Sequence, residues 1–350
     1  MFRTAAAFAL TISLGAIGSV FGDVKIQGGG ATFPAPLYQR WVSDYQNLHP
    51  DVKIDYQAIG SGGGIKGITD KTFDFAGSDA PMNKSEMAGV GGAANVVEIP
   101  SCAGAVVLAY NLPDLKGDLK LDGATLASIF MGKITNWNDP AIKALNPGVD
   151  FPDMPITTVH RADGSGTNFV FTNYLATQSE EFKENVGIGK QVEWPNGQGA
   201  GQNVGVAGVV KQTKGAIGYI ELAYAIDNSI PFALLKNKDG NFVKASPDTV
   251  SQAGEGALSH MNKSLAVPIW NQTGKDAYPI ASFTYLIVYK DLSELKDPNK
   301  AKALADFLRW AVTDGEKTAP QLKYAPLSEG VAKKVMEQLD TLNYSGTPLK

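Results

Sequence analysis

Residues 24–27, 52–59, 74–76, 96–99 and 105–110 carry the β-branched, alternating or continuous apolar pattern of strands. Runs with helical spacing separate several of them, among them 37–48 and 65–69. Strand and helix in alternation predict an α/β domain with a substantially parallel sheet. After Asn111 the pattern continues as a second lobe. Helical stretches are expected over 123–132 and 204–211, a turn and short helix over 137–145, and strands over 156–160 and 216–223. A strand rich in β-branched and aromatic residues over 280–289 and two amphipathic helices, 300–312 and 329–342, complete the chain.

Three junctions between these elements share one chemistry. Residues 28–36, 60–64 and 161–167 are each glycine-rich, carry at least one hydroxyl, follow a strand and precede a helix. A helix start leaves backbone N–H groups without intrahelical acceptors at the positive end of the helix dipole, so such a loop favours an anion. In the third loop Arg161 adds a permanent cation, Ser165 or Thr167 can cap the helix, and Gly164 and Gly166 let backbone approach closely. A capped helix start beside a surface arginine has the same local signature. Three such junctions in one chain could aim three helix N-termini at one point.

Composition narrows the partners. The 350-residue chain is 44% hydrophobic and 19% charged with a net charge of −4, and it has no basic stripe of the kind that marks a nucleic-acid partner. An acidic protein does not steer anions from a distance, so an anion site has to be built from local groups. Residues 1–22 hold one charge, Arg3, ahead of a small and apolar run, which predicts a secretory signal cleaved near Gly22 to leave Asp23 as the mature start. A membrane anchor is the competing reading, but the apolar stretch is short for a span and no basic cluster follows it. The single cysteine, Cys102, lies in an apolar run and reads as a buried core thiol.

In this order and over this length, GGGATFPAP (28–36), IGSGGGIKG (59–67), FAGSDAP (75–81), RADGSGTNFVF (161–171) and KGAIGYIELAYA (214–225) resemble the periplasmic phosphate-binding proteins of bacterial phosphate ABC transporters. The resemblance covers essentially the whole mature chain. It implies a two-lobed, type II periplasmic binding protein of Venus-flytrap form, with mixed, mostly parallel sheets. Residues 23–108 and 280–350 would form the first lobe and 109–279 the second, with crossing strands near 106–110 and 282–289 as the hinge. It also implies high-affinity capture of inorganic phosphate in the periplasm by a monomer, for delivery to an inner-membrane permease and its ATPase. No enzymatic activity, cofactor or metal is expected.

By the same resemblance the phosphate ligands fall on Thr32, Phe33, Ser61, Asp79, Arg161, Ser165, Gly166 and Thr167. Thr32, Ser61, Ser165 and Thr167 would supply hydroxyls, while Phe33, Gly166 and Thr167 supply backbone N–H. The planar fork of Arg161 suits two oxygens of one anion. Asp163 is placed to hold that guanidinium, although Asp-Gly is also a common turn pair. An ionised Asp79 can only accept, so it favours an oxyanion that still carries a proton; phosphate does near neutral pH and sulfate does not. A helix N-cap before Ala80-Pro81 is the other reading of Asp79. In this sequence Gly62 stands where such loops commonly carry a second serine.

Other classes leave traces too. Residues 62–67 match G-x-G-x-x-G after a strand, with Asp79 near the distance of a ribose-binding acid, but an exported chain meets few nicotinamide cofactors. An exported phosphate-ester hydrolase would use Ser165 or Thr167 as nucleophile and His160 as base. A sulfate or molybdate receptor is the nearest rival among binding proteins, and Asp79 is the residue against it.

Overall fold

The computed structural model describes residues 23–262 and 264–350. The expected secretory signal, 1–22, therefore lies outside the described residues. No described helix is long and apolar enough to cross a membrane.

Eleven strands carry the architecture: β1 (Val24–Gly30), β2 (Val52–Ala58), β3 (Phe75–Ser78), β4 (Val96–Tyr110), β5 (Lys120–Leu121), β6 (Thr157–Arg161), β7 (Gln198–Ala200), β8 (Ala216–Glu221), β9 (Leu234–Lys236), β10 (Phe242–Val243) and β11 (Ala281–Tyr289). Eight of them form one sheet in the order β2-β1-β3-β11-β4-β8-β6-β7. Its two wings are parallel, β1 pairing with β2 and β3, and β6 with β7 and β8. Its centre is antiparallel, through β3-β11, β11-β4 and β4-β8. Helices cover the wings, so the fold is a mixed α/β structure of two lobes. A small sheet, β10-β9-β5, is carried on the second lobe and was not expected from the sequence.

The lobes are joined by β4, one unbroken strand where 96–99 and 105–110 read as two. Pro100 and Gly104 lie between those two runs. The pairing absorbs the proline at a bulge: Tyr285 faces Pro100, Thr284 faces Cys102, and Ser101 has no partner between them. Gly104 is there because a Cβ would lie 2.7 Å from the ring of Phe33. From Val96 to Ala105 the strand pairs with β11, and from Val106 to Tyr110 with β8. At the change of partner the Val106 N–H donates to the Ile280 carbonyl, and the Tyr278 hydroxyl donates to the Val106 carbonyl. The segments 106–110 and 282–289, implied as crossing strands, are thus parts of β4 and β11.

Two further boundaries moved for packing reasons. The glycines 28–30, read as loop, are the end of β1, because the rings of Phe75 and Phe73 occupy the space that side chains at Gly28 and Gly29 would fill. The strand expected over 216–223 stops at Glu221, whose carboxylate accepts from the Ala223 N–H at 2.8 Å and caps the helix Leu222–Asp227.

The largest buried side chains in both lobes are aromatic. In the first lobe the helix Ala35–Leu48 buries Leu37, Tyr38, Trp41 and Tyr45, and the Trp41 indole N–H donates to the Gly315 carbonyl at 2.8 Å. In the second, Phe171 stacks on Tyr219 with centroids 4.3 Å apart. Burying a side chain of that size stabilises the fold by about 2–3 kcal/mol. Cys102 is fully buried, as expected. Burial, then the nearby Glu316, Glu221 and Asp79, push its thiol well above the usual range and leave it unreactive.

Candidate functional site

The helix Ser61–Thr69 begins directly after Gly60, whose φ of 92° is a left-handed conformation that favours glycine. The helix Gly166–Gln178 is capped by Ser165, whose Oγ accepts from the Asn168 N–H at 3.0 Å. That cap uses one lone pair, and the Ser165 hydroxyl proton stays available. The helix Ala35–Leu48 follows the turn that holds Thr32 and Phe33. Among the described residues, the N–H groups of Phe33, Ser61, Gly166 and Thr167 have no backbone or side-chain acceptor.

Arg161 lies at the end of β6 and is buried. Its Nε donates to Asp163 Oδ1 at 2.7 Å and its Nη2 to Asp163 Oδ2 at 2.5 Å, a fork-to-fork pair. Burial works against the charge on Asp163. The hydrogen bonds and charge of Arg161, helped by the Gln202 N–H, outweigh it and hold the carboxyl below its ordinary range. Asp163 thus braces the guanidinium, as its spacing suggested. The free edge of Arg161 turns to Thr167, with Nη1 3.3 Å from Oγ1.

Asp79 ends the run after β3 and is buried. It caps nothing: the next helix, Lys84–Gly89, is capped by Asn83 in a capping box with Glu86, which removes the N-cap reading of Asp79. The Asp79 N–H donates to Ser61 Oγ at 3.1 Å, and Oδ1 accepts from the Thr284 hydroxyl at 2.7 Å. Oδ2 faces the second lobe. A Cβ at Gly166 would lie 2.4 Å from it and 2.4 Å from Ser61 Oγ. Burial is the largest influence on this carboxyl and raises it to about 7, against the lowering effects of Thr284, Arg161 and Ser61.

The lobes therefore meet through the candidate residues themselves. The Gly62 N–H donates to the Gly164 carbonyl at 2.8 Å. The Tyr224 hydroxyl donates to the Thr32 carbonyl at 2.6 Å, and the Asn203 side chain to Thr32 Oγ1 at 2.8 Å. Phe33 is held by Tyr324, whose hydroxyl donates to the Phe33 carbonyl at 2.7 Å and lies 3.0 Å from Glu221 Oε2. Burial pushes the Glu221 carboxyl well above the usual range, against the lowering effects of the Ala223 N–H and the Tyr324 hydroxyl.

An ion pair outside the cluster also spans the lobes. Lys190 Nζ lies 2.6 Å from Glu86 Oε1, with the side chains 16% and 22% exposed, and the Lys190 carbonyl accepts from the Ser165 N–H at 2.8 Å. Such a pair favours the closed form by about 1 kcal/mol. Glu86→Gln should weaken anion binding about fivefold and make it less sensitive to salt. Stopped-flow release rates at low and high ionic strength check this, and an unchanged salt dependence would count against the latch.

Comparison with known proteins supplies the family. A family model for the PBP superfamily domain matches residues 16–315. The phosphate-binding protein PstS of Xylella fastidiosa is 44% identical over 316 residues, covering 89% of this chain and 84% of that protein. That of Pasteurella multocida is 42% identical over 317 residues, covering 90% of each. The chain belongs to the PstS family. Among solved structures, a phosphate-binding protein from Stenotrophomonas maltophilia shares the fold with a TM-score of 0.67 at 20% identity, over 90% of this chain and 94% of that one.

Two other traces in the sequence dissolve in this PstS-family fold. His160 stacks on Trp194 with centroids 5.7 Å apart, and its Nδ1 lies 3.3 Å from the Arg161 carbonyl; burial lowers its pKa. Neither Ser165 nor Thr167 has it as a hydrogen-bond partner. The glycines of 62–67 are packing contacts: a Cβ at Gly64 would lie 2.6 Å from Gly30 Cα, and one at Gly67 2.2 Å from the Phe73 ring. Among the described residues, no cluster of His, Cys, Asp and Glu is placed to hold a metal. Sequence reasoning missed Thr284, Asn203 and Tyr224, the polar residues that hold the named ones in place.

Proposed function

We infer that this chain captures inorganic phosphate between its lobes and serves a phosphate ABC transporter. It is a binding protein and not an enzyme. One observation carries the reading: a buried carboxyl, Asp79, shares a closed cluster with the buried guanidinium of Arg161 and with unpaired helix-terminal amides. A fully deprotonated anion would face the lone pairs of Asp79 without a hydrogen between them, whereas a protonated one donates into them. Arg161, with its charge already offset by Asp163, contributes two directed N–H bonds more than net charge. Thr32, Ser61, Ser165 and Thr167 donate hydroxyl protons, and Phe33, Gly166 and Thr167 donate backbone N–H, so the anion is bound chiefly by hydrogen bonds.

The same reading takes 23–108 with 280–350 as one lobe and 109–279 as the other, closing on the ligand about β4. The mature chain works as a periplasmic monomer and hands phosphate to an inner-membrane permease driven by its ATPase. Calorimetric titration of the chain from Asp23, stripped of anion by unfolding and refolding, tests the binding. Tight one-to-one uptake of phosphate with no heat from sulfate at pH 8.5 is expected. Equal binding of the two anions would overturn the selectivity, and binding of neither would overturn the site.

A further inference from the structure

Asn203 is the second residue of the helix Gln202–Gln212 and is fully buried between the two lobes. Its Oδ1 accepts from the Glu221 N–H at 2.9 Å. A backbone N–H can only donate, so this contact fixes which way the amide points. Nδ2 then faces two hydroxyls, Thr32 Oγ1 at 2.8 Å and Thr167 Oγ1 at 3.2 Å. One belongs to the first loop and the other to the third. The Asn203 backbone N–H also reaches Thr32 Oγ1, at 3.4 Å, and Arg161 Nη1 reaches Thr167 Oγ1 at 3.3 Å.

An amide nitrogen and a guanidinium have protons to give and no lone pair to offer. Each threonine oxygen therefore accepts from two donors, and its own proton has to point elsewhere. We propose that Asn203 is a positioning residue for the anion: by donating to both threonine hydroxyls it turns their protons toward the ligand, and it does so only when the lobes are together. The inference rests on the reading of the cluster as a phosphate site. A single amide thereby couples closure to donor direction, since opening the cleft takes Thr32 away from Asn203 and frees its hydroxyl to rotate, while Thr167, on the same lobe as Asn203, keeps its two donors.

Two variants separate the parts of the amide. Asn203→Asp keeps an acceptor for the Glu221 N–H and removes the donor, so the threonine protons turn toward the new carboxylate and away from the ligand. Asn203→Ala removes both. Phosphate affinity measured by calorimetry should fall on the order of 100-fold for Asn203→Asp and about 10-fold for Asn203→Ala, the loss expected when hydrogen bonds to a charged group are misdirected or left unaimed. The decisive measurement adds Thr32→Val and Thr167→Val. If Asn203 acts through the hydroxyls, Asn203→Ala has almost no further effect in the double-valine background; a merely structural role gives the same loss in both backgrounds. Thermal unfolding without ligand checks that each variant folds. Wild-type affinity in a folded Asn203→Asp, or additive losses in the cycle, would overturn the proposal. Absence of phosphate binding by the unaltered chain would instead overturn the reading of the site.

Discussion

Gly166→Ala should lower phosphate affinity by about a thousandfold or more while leaving the unliganded protein folded. Gly166 opens a helix without needing a positive φ, so alanine suits its backbone. The obstacle is across the cleft. A Cβ there would lie 2.4 Å from Asp79 Oδ2, 2.4 Å from Ser61 Oγ and 2.6 Å from Asp79 Cβ. Those atoms belong to a buried carboxylate and a buried serine that are fixed to each other, so neither can swing aside. Relief comes from holding the lobes apart, which removes the first-lobe donors from the anion. Each lost hydrogen bond to a charged ligand is worth about 1.5–3 kcal/mol, and losing several reaches the stated factor. Gly62 supplies the internal comparison: a Cβ there would meet Gly164 Cα at 3.2 Å, a contact that a small shift can relieve, so Gly62→Ala should cost far less. Calorimetry gives the affinities, and small-angle scattering with saturating phosphate reports whether the cleft closes. A Gly166→Ala protein that binds as tightly as the unaltered chain would show that the lobes do not meet as described.

Glycine is also where the sequence was easiest to read and to misread. Residues 60–64 and 161–167 announced helix starts with free amides, and the helices Ser61–Thr69 and Gly166–Gln178 begin there. The same residue type at 28–30 looked like loop and is strand: phenylalanine rings from elsewhere in the chain fill the space beside Gly28 and Gly29, and the Gly77 backbone lies against Gly30. Local pattern cannot report a ring that arrives from a distant position. Pro100 depends on a distant partner too: a bulge against β11, far away in sequence, makes it tolerable in a central strand. The candidate residues were legible through the resemblance and through the chemistry of their loops. Their supports were not. Thr284 is a hydroxyl in an apolar strand, and Asn203 is an amide at the start of an apolar helix. Neither has a distinctive neighbour in sequence, and each acts through a contact formed only when strands and lobes assemble.

Sulfate should bind the unaltered protein detectably only below about pH 7, with its affinity falling about tenfold per pH unit above that, while phosphate shows no such slope. Burial raises Asp79 from the ordinary carboxyl value of 3.8 to about 7. A raised carboxyl favours the protonated form in the fold, so its contribution to stability is full below pH 3.8 and is lost as pH rises to about 7. Above that point Asp79 is an ionised acceptor. Sulfate then needs one proton taken up onto Asp79 for every anion bound, which sets the tenfold slope. Phosphate brings its own proton throughout the neutral and mildly alkaline range and donates it to Oδ2. Asp79→Asn should abolish the difference: Oδ1 stays on Thr284 and an N–H₂ replaces Oδ2, so sulfate gains a donor at every pH and its binding becomes flat. The expected change in sulfate affinity at pH 9 is on the order of 100-fold, from two pH units of linked protonation. Titrations of both anions between pH 5.5 and 9 provide the measurement. Parallel pH profiles for sulfate and phosphate in the unaltered protein would mean that the proton at Asp79 does not decide between them, and the raised carboxyl would then be a feature of packing alone.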